Sequence, residues 1–503
     1  MGYKIRVKIE IIESNDETGE AQANPKPGMY EQVLRTEMSE NLDECEQNLL
    51  KLSYEAMRAS LATHMSEASQ KAAERVRGEG QAVVGKEYRV DGEVGRIEFI
   101  AYYVETASGF EGIMPILKGK DRYKRQGFKE IALVHGTTEN AYAKSSRMIK
   151  RIRHQEGATP ARTLRDNSEV EGQAVQQAMR EQTQELLERH QFTVEGEPKD
   201  LAAIGQYSQQ DLQQLPKDVV EAAIAEAAPT CDWQAKMRKN KVPYEKPEQS
   251  VAICVDDVNP KRQKDKRSTQ AEIPEPEPAE GLKYVHNTVA HIAQAEHTYI
   301  INGHGLGSVL KMLLAFLLHN NLLGFNLIFF VDGQRTLYSS IGNAFAWFKP
   351  LQFILDWYHL EKRCKEYLSM GLKGSQIRNQ VLDELMPFLW HGCLDDAIAK
   401  LQQINPAHIK NQEYVDKLSD YFERNRLYIP CYSVRKQLNL ANSSSAGEKA
   451  NDLIVSQRQK HNGMSWSVSG SVALATLASL IRNGEPDTWF RSGSLAFHFA
   501  ALP

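Results

Sequence analysis

Two aspartates, Asp332 and Asp356, each stand directly after a short apolar run, and His359 follows the second by three residues. Acidic side chains in such places offer the oxygen donors that hard divalent cations prefer. The runs are Leu327 to Val331 and Leu351 to Leu355. Both are rich in β-formers and bounded by turn residues, which predicts two buried strands. Each leads into an amphipathic helix, the first carrying Leu337, Ile341, Ala344 and Phe345 on one face, the second Tyr358, Leu360 and Cys364. Functional groups gather where the strands of such sheets end, so two carboxylates at successive strand ends mark a candidate active-site edge. One Asp alone would read more simply as a helix N-cap. Two in register, with His359 beside the second, favour chemistry.

These residues need a sheet to hold them, and the chain upstream supplies one. Val251 to Val255 predicts another buried strand and ends in Asp256 and Asp257. Beyond a basic run and the Glu/Pro-rich loop IPEPEPAE, Lys283 to Ile292 and His297 to Ile301 predict two further strands, and Gly305 to Leu323 a strongly apolar helix. The order strand, strand, strand, helix, strand, helix, strand, helix is that of a ribonuclease H-like α/β core. Such a core carries one carboxylate on its first strand, a second after its fourth and a third on a later helix. The first two fall on Asp256 or Asp257 and on Asp332. Residues 371–442 predict an all-helical insertion. After it comes ANSSSAGEKANDLIVSQRQKHNGMSWS, where Ser443 to Ser445 cap a helix expected from Gly447 to His461 and stopped by Gly463, with Glu448 in its first turn.

The Asp of the first strand together with VDGQRTLY, LDWYHLEK and GEKANDLIVSQRQKHNGMSWS resembles the DDE transposases of bacterial insertion sequences. The likeness is to the broad Mutator-like group whose signature joins Cys or Asp, two residues and His, here Asp356-Trp357-Tyr358-His359. It spans Val251 to Val468. The resemblance implies that Asp256, Asp332 and Glu448 hold two magnesium ions, with manganese as a substitute, for cleavage and strand transfer at phosphorus. Asp257 stays open as the first ligand and Asp452 as a fallback third. Asp356 and His359 would orient DNA or support the site, and Lys449, Arg458 and Lys460 would face a polyanion. The implied partner is double-stranded DNA, bound by a homodimer or larger homo-oligomer. A nuclease or resolvase of the same fold, and a retired transposase kept as a DNA-binding protein, are the alternatives.

The N-terminal half carries the DNA-binding expectation. Residues 1–138 predict an α+β region: an opening strand, a polar helical stretch from Tyr30 to Arg77, and strands from Val84 to Thr106 joined at Asp91-Gly92. Ala141 to His154 predicts a basic amphipathic helix with Met148, Ile149 and Ile152 on its apolar side and Gly157 as its C-cap. A second helix begins after Thr159-Pro160 and carries Arg165, and a third runs from Gln173 to Gln191. The first two would make a helix-turn-helix that presents Arg147, Lys150, Arg151 and Arg153 to DNA. The expected divisions are 1–138, 139–247 (helix-turn-helix and connector), 248–370 (first part of the core), 371–442 (insertion) and 443–503 (last part of the core).

Composition leaves this reading open. With 503 residues, 41% hydrophobic and 25% charged, the chain is long enough for about three domains. A net charge of -4 and pI near 6.4 exclude a globally basic nucleic-acid binder, so contact with DNA must come from local basic runs: 118–129, 144–153, 236–246 and 261–267. The six cysteines are scattered, without zinc-ligand spacing. No signal peptide or membrane-spanning run is apparent, and a cytoplasmic, nucleoid-associated protein is expected.

Overall fold

A computed structural model of the chain describes residues 2–9, 30–37, 41–107, 109–117, 126–138, 141–155, 160–202, 204–205, 210–263, 283–460, 463–495 and 497. The basic stretches 118–125 and 264–267, the Glu/Pro-rich loop, Gly157, Thr159 and His461 lie outside the described residues. The chain divides into two compact units, 1–170 and 171–503. Among the described residues, no helix is long and apolar enough to cross a membrane.

In the first unit, β1 (Gly2–Ile9) and β2 (Tyr30–Glu37) form an antiparallel pair. The helix expected from Tyr30 therefore begins only at Leu42, as α1 (Leu42–Gly78). Pairing with a distant strand overrides local propensity there. A three-stranded antiparallel sheet follows: β3 (Val83–Gly92), β4 (Gly95–Thr106) and β5 (Gly109–Gly112). Gly92 pairs with Gly95, so the hairpin turns at Glu93-Val94. Alternate residues of β3 and β4 (Tyr88, Val90, Ile97, Phe99, Ala101) make this sheet's core with Leu117.

Three helices complete the unit: α2 (Gln126–Thr138), α3 (Tyr142–Ile152) and the start of α4 (Ala161–Arg189). Phe128, Ala132, Ile149 and Leu164 pack between them. The two helices expected after Pro160 are one. Gly172 lies within it where an added Cβ would come 2.5 Å from the carbonyl oxygen of Ala473, so a glycine there permits the close approach. On α3 only Ile149 of the expected apolar side is buried, whereas Met148 and Ile152 are exposed.

The second unit carries α5 (Lys217–Ala227) and α6 (Cys231–Met237) ahead of a five-stranded mixed sheet of β6 (Ser250–Val258), β7 (Asn287–Gln294), β8 (His297–His304), β9 (Asn326–Val331) and β10 (Leu351–Leu355), in the spatial order β10-β9-β6-β7-β8. The strands β6, β9 and β10 are parallel, and β7 is antiparallel to both its neighbours. The run from β9 is buried throughout, as a strand covered on both faces must be. Two of the covering helices meet β8 on opposite faces: Gly303 lies against Val309 and Met312 of α7 (Leu306–His319), and Asn302 bonds Thr476 and Ser479 of α15 (Val468–Arg482).

Between the ends of the sheet and the last helices lie α9 (Trp357–Gly371), α10 (Ser375–Trp390), α11 (Leu394–Gln402), α12 (Gln412–Arg424) and α13 (Tyr432–Gln437) around a leucine-rich core of their own. The way back to the sheet is pinned by Arg435, fully buried, whose two terminal nitrogens donate to the Glu245 carboxylate at 2.7 Å each and whose Nε donates to the Ala441 carbonyl at 3.0 Å. Such a forked, two-bond ion pair supports one geometry of the chain.

Glu485, between α15 and α16 (Pro486–Ser492), is buried and accepts a 2.9 Å hydrogen bond from the Tyr299 hydroxyl. Burial pushes its carboxyl up to about 7, above the ordinary value of 4.5. A raised acid is neutral in the fold before it is neutral in the unfolded chain, so its contribution is complete below about pH 4.5 and is lost as pH rises through about 7. The Glu485→Gln variant is expected to gain roughly 3 kcal/mol relative to the parent between pH 4.5 and pH 8. Urea denaturation of both proteins at the two pH values measures this, and parallel pH dependence of parent and variant would refute it.

Candidate active site

The register of the parallel strands aligns the acids. Ser250 pairs with Asn326 and Cys254 with Phe330, and the same register carried two residues further reaches Asp256 and Asp332. Leu351 pairs with Leu327 and Leu355 with Val331, and one residue further reaches Asp356 and Asp332. Neighbouring strands lie about 4.8 Å apart. The ends of β6, β9 and β10 thus set three aspartates in one row at the carboxyl edge of the sheet, with Asp332 in the middle.

Their side chains are used differently. Asp332 accepts a 2.9 Å hydrogen bond from the backbone N–H of Gln334, which folds the turn into α8 (Arg335–Ala344), while Gly333 takes a positive φ of 86° where an added Cβ would strike the Tyr421 ring. Asp356 is buried. One of its oxygens caps α9 by accepting from the backbone N–H of His359 at 2.9 Å, and the other accepts from both the backbone N–H and the hydroxyl of Ser444. These three accepted bonds join two helix starts. Asp356 is therefore a positioning residue.

Consecutive strand residues point to opposite faces, which separates Asp256 from Asp257. The Asp257 carboxylate accepts from the Thr288 hydroxyl on β7. Asp256 lines a small cavity with Cys254, Asp332, His359, Glu448 and Asn451, and accepts a 2.8 Å hydrogen bond from the Asn451 side chain. Although one side of Asp256 stays open to solvent, burial of its carboxyl in the protein pushes it up to about 6, and the Asp332 charge adds to this. The Cys254 thiol on the same face is pushed up to about 12, first by burial and then by the charges of Asp356, Asp256 and Glu448.

Glu448 comes from α14 (Ser445–Asn451), which continues through one π-helical turn at Asp452–Ser456 and an α-helical end at Gln457–Gln459. Its fit to β6 is set by two contacts. An added Cβ on Gly447 would lie 2.5 Å from Cβ of Cys254, and Asn451 bonds Asp256. Four helical residues rise about 6.0 Å and two strand residues about 6.6 Å, so helix and strand keep step over this interval. Ser444 stands at the N-cap position but bonds Asp356 rather than its own helix, because that carboxylate is in reach. His359 Nε2 lies 3.1 Å from a Glu448 oxygen.

Asp256, Asp332, Glu448 and His359 thus line one cavity, whereas Asp356 serves the scaffold and Asp452 is exposed and outside the lining. Among the described residues, no group of three His, Cys, Asp or Glu side chains is close enough to hold a metal ion as the side chains stand. Of the expected basic contacts, Lys449, Lys460, Arg147 and Arg151 are exposed and Lys150 is half-buried. Two are corrected. Arg458 is buried with its guanidinium 5.4 Å from the Trp466 ring, and Arg153 is buried 4.9 Å from the Phe128 ring, donating to the Gly92 carbonyl. Long side chains of this kind pack their charge against aromatic rings when a nearby face offers one. Sequence reading gave Ser444 and Gly447 only as part of the cap and as the start of this helix, and passed over Asn451. The spacing of Gly447 and Asn451, one helical turn apart beside Glu448, was the available signal.

Comparison of the chain with family models, curated proteins and solved structures finds no match.

Proposed function

We propose that the chain is a DDE transposase with a ribonuclease H-like core, cutting and joining DNA at the ends of a mobile element. The observation that carries the reading is the strand register that sets Asp256 level with Asp332, with Glu448 across the same cavity. The sheet order β10-β9-β6-β7-β8 and the helical layer inserted before the Glu448 helix support the fold assignment.

The donor set suits magnesium, being carboxylate oxygen around a cavity where burial, and after it the Asp332 charge, disfavours ionisation of Asp256 in the absence of a cation. Asp256, Asp332 and Glu448 would hold it, and when bound it would activate the attacking oxygen and stabilise the leaving one. The chain's own residues prepare the site. Asn451 orients Asp256, the Gln334 N–H orients Asp332, and Asp356 with Ser444 holds the starts of the two helices that carry His359 and Glu448. DNA is the substrate, and a homodimer or larger assembly would bring two ends together.

The test begins with the DNA flanking the reading frame, where inverted repeats are expected. A labelled duplex made from one repeat should be cleaved by the full chain with magnesium or manganese and left intact with a chelator. A purified, folded protein that leaves every such duplex uncut in both metals would overturn the proposal.

A further inference from the structure

Resting on the DNA-processing reading above, we propose that α2 and α3 form the helix-turn-helix and that the stripe Lys144, Arg147, Met148 and Arg151 on α3 enters the major groove of duplex DNA. This pairs α3 with α2 in place of α4, the partner that sequence spacing gave it.

The connection decides first. Between Thr138 and Tyr142 lie three residues, 139–141, the length of the turn in a helix-turn-helix, whereas eight residues, 153–160, separate α3 from α4. The two helices are tied by the Ser145 hydroxyl of α3, which donates to the His135 carbonyl of α2 at 2.8 Å. The inner side of α3 is made of Ser145, Ser146 and Ile149, all buried, and small serines there let α3 lie close to α2. The opposite side then presents Lys144, Arg147, Met148 and Arg151, a set at i, i+3, i+4 and i+7 that shares one helix face and is exposed throughout.

Charge decides second. No acid occurs between Ala141 and His154, so the exposed cations of α3 have no carboxylate on their own helix. On α4, Arg162 and Arg165 both reach Asp166, at 3.8 and 2.7 Å, and Glu169 and Glu171 follow. A polyanion is therefore drawn to α3 and finds α4 neutralised. Size agrees: a helix with its side chains is about 10–12 Å across, matched to a groove about 12 Å wide. Arginines on such a helix reach guanine edges, and the exposed Met148 offers an apolar contact for a thymine methyl. Buried Arg153 holds the C-terminal end of α3 to the unit instead of touching DNA.

The test is fluorescence anisotropy of the full chain on a labelled mixed-sequence duplex longer than two helical turns, over a range of salt. Arg147→Gln with Arg151→Gln should weaken binding about tenfold or more and lower the salt slope by about 2, since two cations fewer displace counterions from the duplex. Arg162→Gln with Arg165→Gln should leave affinity within about twofold. Thermal melting of each variant controls for folding, which these exposed positions leave intact. Unchanged affinity and slope in the α3 pair, or a loss confined to the α4 pair, would overturn the assignment. Salt-dependent binding that falls in the α3 pair supports it even where magnesium-dependent cleavage is absent, an outcome that rejects the catalytic reading alone.

Discussion

Asp332→Asn is expected to abolish magnesium-dependent cleavage of an end duplex while binding to the same duplex stays at the parent level. The substitution leaves the side-chain oxygen that accepts from the Gln334 N–H, so the turn into α8 has what it needs. What disappears is the charge at the centre of the row formed by the ends of β6, β9 and β10. Loss of one strong electrostatic stabiliser costs on the order of 10²–10³-fold in rate, and loss of a shared metal ligand removes support from attacking and leaving oxygen together. The opposing account holds that Asp332 merely shapes its turn. Under that account Asn does as well and cleavage is unchanged. Rate and affinity measured side by side separate the two, because a fall in both would trace to the fold and not to the charge.

Gly447→Ala should be nearly as damaging, although it touches no acid. A Cβ at this position would lie 2.5 Å from Cβ of Cys254, which no relaxed packing allows, so α14 must lift from β6. Glu448 sits next in sequence, and Asn451, one turn on, would lose its 2.8 Å bond to Asp256. A shift near 1 Å in a reacting constellation costs on the order of 10²-fold. Adding Cys254→Gly removes the opposing atom, and the double variant should recover part of the rate. Cleavage by Gly447→Ala at the parent rate would show that the seating of α14 on the strand has no bearing on the chemistry.

Much of the sheet could be read from the chain alone. Leu351 to Leu355 is the strand found, and Leu327 to Val331 differs from it only by Asn326, because uninterrupted apolar runs between turn residues leave few other solutions. The placing of Asp332 and Asp356 just beyond their strands was legible for the same reason, whereas β6 continues through Asp256 to Val258 because it goes on pairing with β7. The functions of these aspartates were not legible. Which of three similar carboxylates faces the cavity depends on the parity of β6, which sends Asp256 and Asp257 to opposite faces, and on Ser444, distant in sequence, taking up Asp356. Arg153 and Arg458 read as surface cations until the rings of Phe128 and Trp466 appear beside them. The strand Tyr30–Glu37 depends likewise on a partner strand, and the glycine at 172 on the close approach of Ala473. Periodicity and turn residues report what one segment buries and where it stops, and these the sequence determined by itself. Register, close approach and the sharing of a hydrogen-bonding group are properties of two segments at once, and the tertiary structure alone decided them.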